Sequence, residues 1–62
     1  MIITARSASA VQDALISRDI WMVDLGNTSL TGYRFQFNYA GEVERFVTLA
    51  QVKAWAKYNL PA

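Results

Sequence analysis

No cysteine and no histidine occur among the 62 residues, and proline occurs once. Without cysteine the chain can hold no disulfide and no thiolate-bound metal. Without histidine it lacks the commonest general base and the commonest metal ligand. Charge of one sign is scarce as well. Six Lys/Arg stand against five Asp/Glu, a net charge of +1. Arg6, Arg18, Arg34, Arg45, Lys53 and Lys57 are scattered without a run. So even a balance gives no strong field to gather nucleic acid or anionic lipid. No apolar run approaches the roughly 18 residues of a membrane helix. Met1-Ile2-Ile3 is too short for the apolar heart of a signal peptide, and Asp13 interrupts the stretch after it. Together these absences predict a cytoplasmic protein that uses no metal, cofactor or membrane. Asn27-Thr28-Ser29 spells a glycosylation sequon; with no sign of a secretory route it reads as turn residues.

What is present is apolar material. Hydrophobic residues make up 53% of the chain and aromatics 13%, the composition of a packed domain rather than a disordered tail. The length allows one domain, residues 1–62. A domain of this size buries only about 60% of its unfolded surface. Its stability must come from apolar packing or from association with another chain. Beginning with Met1 and stopping just past a predicted helix, it reads as a small gene product. That is the size of many phage or mobile-element regulators and inhibitors, an expectation from length alone.

Along the chain, Ile2-Ile3-Thr4-Ala5 is short and β-branched, an optional edge strand. Ser9 and Gln12 fit a capping box that opens a helix over about 10–17, with Val11, Ala14, Leu15 and Arg18 near one face. Residues 20–25 read as a strand, with Trp21, Val23 and Leu25 on one face and Ile20, Met22 and Asp24 on the other. The glycine-bounded stretch 26–32 is a loop. Tyr33 to Asn38 alternates aromatic and polar residues with period two.

Asn38-Tyr39-Ala40-Gly41 matches a type I turn followed by a glycine bulge, a three-residue loop that sets Asn38 opposite Glu42. In that register Tyr33, Phe35, Phe37, Val43 and Val47 face inward, and Arg45 and Phe46 are out of place. The competing two-residue loop would put Glu42 and Glu44 on the aromatic face, where burying unpaired carboxylates costs several kcal/mol. The bulged register is therefore preferred. Thr48 and Gln51 form a second capping box. The helix it opens runs to about Asn59 and is stopped by Leu60-Pro61, with Leu49, Val52, Ala56 and Leu60 as its core stripe and Trp55 on its flank. The predicted class is α+β, order (β)αβββα: an antiparallel three- or four-stranded sheet with two helices on one face, covering Trp21, Val23, Phe35 and Phe37.

Few residues remain for chemistry. Lys53 and Lys57 are placed in solvent with no serine beside them, so no activated nucleophile is in prospect and the chain reads as non-enzymatic. Gly26 and Gly32 lack the Lys-Ser/Thr ending of a phosphate loop. Glu42 and Glu44 fit a solvated strand face, and Asp24 is expected to pair with Arg34 across the sheet. The αβββα order is similar to that of double-stranded-RNA-binding domains. Those carry a basic cluster where this chain has Thr48-Leu49-Ala50-Gln51. The half from Tyr33 onward loosely resembles the arm-binding domains of phage integrases, which insert the exposed face of a sheet into the major groove. The face predicted to be exposed here carries one arginine and two glutamates, and no family follows from either likeness.

The predicted outer sheet face gathers an apolar patch with a polar rim: Ile20, Met22, Arg34, Gln36, Glu44 and Phe46. The expected function is a protein-binding module, acting on another protein or by self-association as a dimer. The competing expectation is a nucleic-acid-binding regulator working through Arg34, Arg45, Lys53 and Lys57.

Overall fold

A computed structural model describes residues 1–26 and 30–62; the Asn27-Thr28-Ser29 sequon lies outside the described residues. The elements run α1 (Ala8–Ile16), β1 (Val23–Asp24), β2 (Phe35–Tyr39), β3 (Glu42–Phe46) and α2 (Leu49–Asn59). The strands form one antiparallel sheet in the order β1-β2-β3. The chain is thus an α+β fold with two helices and a three-stranded meander. Residues 1–6 contribute no further strand. They dock on α2 instead. The amino group of Met1 donates to the carbonyl oxygens of Ala56, at 3.2 Å, and of Leu60. Both carbonyls lie at the helix end that carries negative dipole charge, and Ala56 O also accepts from the Leu60 N–H at 3.0 Å. Lys53 Nζ donates to the Ala5 carbonyl at 3.1 Å, and Ile3 is buried.

Helix α1 starts two residues earlier than its sequence suggests. Ser7, not Ser9, is the N-cap, and its hydroxyl accepts from the Ala10 N–H at 3.2 Å. Gln12 is thereby released from capping. Its Oε1 accepts from the Met22 N–H at 2.6 Å and ties the helix to the chain entering β1. Gln12→Ala leaves that N–H without its partner. It is expected to lower stability by about 1–2 kcal/mol in urea denaturation, whereas an unchanged midpoint would show the bond to be replaceable by water.

The far end of α1 closes through a left-handed residue. Asp19 has φ 62°, the Ile20 N–H reaches back to Leu15 O at 3.1 Å, and the Asp19 N–H reaches Ile16 O at 2.9 Å. This is the Schellman arrangement, with its usual apolar contact pair, here the buried Leu15 and Ile20. It inverts the expected facing of the next segment. With Ile20 turned into the core, alternation sends Met22 inward too and leaves Trp21 and Val23 exposed. The ladder agrees, since Asp24 stands opposite Phe35 and Val23 opposite Gln36.

The β2–β3 hairpin also takes the register that the sequence argues against. Tyr39 pairs with Glu42, Asn38 with Val43, Phe37 with Glu44, Gln36 with Arg45 and Phe35 with Phe46. The loop is the two-residue Ala40-Gly41, with φ 51° and 80°. Positive φ at both central positions defines a type I′ turn, whose twist matches that of the flanking strands. Both misfits of the bulged register vanish: Phe46 now faces inward beside Phe35 and Phe37, and Arg45 faces out. The feared burial of two carboxylates does not occur. Glu42 sits exposed at the loop end, and Glu44 lies half-buried on an edge strand. Val43 and Val47, expected inside, are 48% and 50% exposed, and Tyr33 is exposed as well.

Helix α2 follows its sequence closely. Thr48 Oγ1 accepts from the Gln51 N–H at 3.3 Å, and Gln51 Oε1 accepts from the Thr48 N–H at 3.3 Å, completing the capping box. Val52, Ala56 and Leu60 are buried, and Leu49 and Trp55 pack against the core. That core is one cluster: Val11 and Leu15 from α1, Val52 and Ala56 from α2, and Phe35 and Phe37 from β2 are its centre. An aromatic group flanks it. The Trp55 ring meets Phe37 at 4.8 Å and Tyr39 at 4.9 Å, both edge to face, and Phe46 lies 5.3 Å from Phe37.

Candidate functional site: the outer face of the sheet

The corrected register decides what the uncovered face of the sheet contains. Opposite residues of an antiparallel pair share a face. Val23, Gln36 and Arg45 therefore form one row across all three strands, and Asn38 and Val43 form the next. Trp21 lies two residues before Val23, with the same facing. Trp21 is 66% exposed, Val23 49% and Val43 48%. Arg45 and Asn38 are exposed and Gln36 is half-buried. Asp24, Glu42 and Glu44 all pair with members of the opposite face, so the sheet's carboxylates leave this face altogether.

Of the six residues expected here, Gln36 is the one that the structure places on this face. Ile20 and Met22 are buried core residues, turned inward by the α1 terminus. Phe46 stacks on the aromatic group around Trp55, and Glu44 shares its side of β3. Arg34 precedes β2 and folds back: its guanidinium carbon lies 5.1 Å from the centre of the Phe35 ring, and its Nε donates to Asp24 Oδ1 at 3.3 Å. The expected Asp24–Arg34 pair is present. The Gly26 N–H also donates to Asp24 Oδ1, at 2.9 Å. That backbone bond first, and Arg34 second, hold the Asp24 carboxyl below its ordinary value of 3.8.

The four cations of the competing expectation are not brought together. Arg45 alone lies on the outer face, and Arg34 turns from it to pair through Nε with Asp24. Lys53, expected in solvent, is half-buried and bound to the Ala5 carbonyl. Lys57 is exposed near the Tyr58 ring at 5.6 Å.

Trp21, Val23, Val43 and Arg45 are the residues that sequence reading assigned to the opposite face, whereas Asn38 stands on the outer face, where its alternation with Gln36 puts it. Two local signals could have found them. A two-residue Ala40-Gly41 loop turns Arg45 out, and an apolar Ile20 just past a helix end is the natural closing contact of a Schellman motif. Among the described residues no three potential metal ligands converge, and no helix is long and apolar enough to cross a membrane. No family model, no curated protein and no solved structure matches the chain.

Proposed function

We propose that this chain is a small, non-enzymatic, cytoplasmic protein-binding module that docks a partner on the outer face of its sheet. One observation carries the reading: a tryptophan and two valines stand in solvent on a sheet face, with Gln36, Asn38 and Arg45 among them. Trp and Arg are the residue types that dominate protein-binding hot spots. Covering that face also supplies burial that a 62-residue chain without disulfides is short of. Among the described residues Arg45 is the one charge on this face, so the face suits an apolar partner surface bearing a carboxylate, and binding acts by occupying that surface.

The test is affinity capture from a lysate of the source organism, with nuclease present, comparing the parent chain with Trp21→Glu and Val43→Glu. A defined protein retained by the parent and lost by both variants is the expected result. Sedimentation at high concentration adds the self-association arm. Equal retention by all three chains, with no self-association, overturns the proposal.

A second reading has its own observation. Removing the glutamates from this face leaves Gln36, Asn38 and Arg45 in adjacent rows, side chains that recognise base edges, beside a tryptophan able to stack. A net charge of +1 supplies few phosphate contacts, so we rank it second. Salt titration of DNA and RNA binding separates the readings: a steep salt slope supports this one, and absence of binding at low salt removes it.

A further inference from the structure

Away from the outer face, a cleft of about 310 Å³ opens beside the starts of the two helices. Its walls include Arg6, Arg34, Phe35, Val47, Thr48 and Leu49. We infer that this cleft binds a small organic anion, with an oxyanion head held by Arg6 and Arg34 and an apolar body against Phe35, Val47 and Leu49.

Arg34 is held from two sides. Asp24 binds its Nε at 3.3 Å and the Phe35 ring lies under its guanidinium at 5.1 Å. Those two contacts orient the group through its Nε and one face, and no hydrogen bond is made by its terminal N–H donors among the described residues. An arginine oriented in this way has less side-chain entropy left to lose on binding an oxyanion, and its fork matches carboxylate and phosphate geometry. Arg6 is the second cation on the cleft. Among the described residues it has no hydrogen-bond or ion-pair partner. No carboxylate lines the cleft, and neither helix has an acidic residue in its first turn. Asp24, which does not line the cleft, offsets one of the two guanidinium charges, so the cleft offers a net charge of about one to an incoming anion. The Phe35, Val47 and Leu49 wall argues for more than a bare ion. The volume is at the lower end of small-molecule sites, large enough for a single ring with its acidic group.

Titration of the labelled chain with phenyl phosphate, benzoate and neutral benzamide, followed by amide NMR, tests the inference. Saturable shifts centred on Arg6, Phe35 and Leu49 are expected with at least one of the two anions, at roughly millimolar affinity or tighter. The stronger of the two identifies the preferred head group. Arg6→Gln, an exposed substitution that leaves the core intact, should weaken binding roughly tenfold. Arg34→Lys, which keeps the charge and loses the fork, should weaken it too. Arg18→Gln should leave it unchanged. Shifts that fail to saturate, that spread equally around Arg18, Arg45 and Lys57, that persist in Arg6→Gln, or that benzamide reproduces at the same strength overturn the inference.

Discussion

Phe37→Ala is expected to leave the chain largely unfolded at 25 °C. Phe37 is 3% exposed, at the centre of β2, with Phe46 at 5.3 Å and Trp55 edge-on at 4.8 Å. Removing a buried phenyl ring costs about 3–5 kcal/mol, because the transfer energy is lost and the surrounding groups collapse only in part. A single core below roughly 70 residues rarely supplies more than about 3–5 kcal/mol altogether. The two quantities are comparable, so the substitution removes most of the margin. Far-UV circular dichroism and a urea titration read the result directly. Val43→Ala, on the neighbouring strand, is the contrasting case. In the observed register Val43 stands in solvent, and its truncation should move stability by no more than about 0.5 kcal/mol. A loss near that of a core valine would return Val43 to the interior and with it the bulged register.

The second large effect is a gain. Among the described residues, two that are not glycine hold positive φ, Asp19 at 62° and Ala40 at 51°. Alanine has no side-chain hydrogen bond to compensate the left-handed conformation, which costs roughly 1–2 kcal/mol for an L-residue. Asparagine is the preferred occupant of the first central position of a type I′ turn. Ala40→Asn should therefore stabilise by about 1 kcal/mol. Asp19→Gly should add roughly 0.5 kcal/mol, less because aspartate tolerates the region better and glycine loosens the unfolded chain. The turns share no partners, so the gains should add. The double variant should melt about 10 °C above the parent. No gain from Ala40→Asn would mean that the hairpin loop is not type I′.

What could be read from residues and what could not divide along a physical line. The capping box at Thr48 and Gln51, the stop at Leu60-Pro61 and the stripe through Val52 and Ala56 are interactions within about one turn of helix, and they appear in the structure as the sequence states them. The Asp24–Arg34 pair was legible because few other partners exist for either group. Facing was not legible. Alternation fixes the period of a strand but not its phase, and a one-residue slip exchanges the two faces entirely. The phase of β3 was set by Ala40 accepting positive φ, which alanine does not advertise. The phase before β1 was set by Asp19 doing the same at the end of α1. Those two backbone angles moved Ile20, Met22, Glu44 and Phe46 off the candidate surface and brought Trp21, Val23, Val43 and Arg45 onto it.

β3 is the long open edge of this sheet, and it alternates Glu42 and Glu44 on the side where a core residue would ordinarily stand. A second copy adding itself antiparallel about the middle of that strand would set Glu44 against Glu44, and stacked parallel copies would align both glutamates in columns. Like charges so placed oppose strand addition, and inward-pointing charges on edge strands are a known guard against it. The carboxylates that look costly for folding one molecule thus work as insulation between molecules. They oppose strand-to-strand growth in a chain that exposes Trp21, Val23, Val43 and Val47.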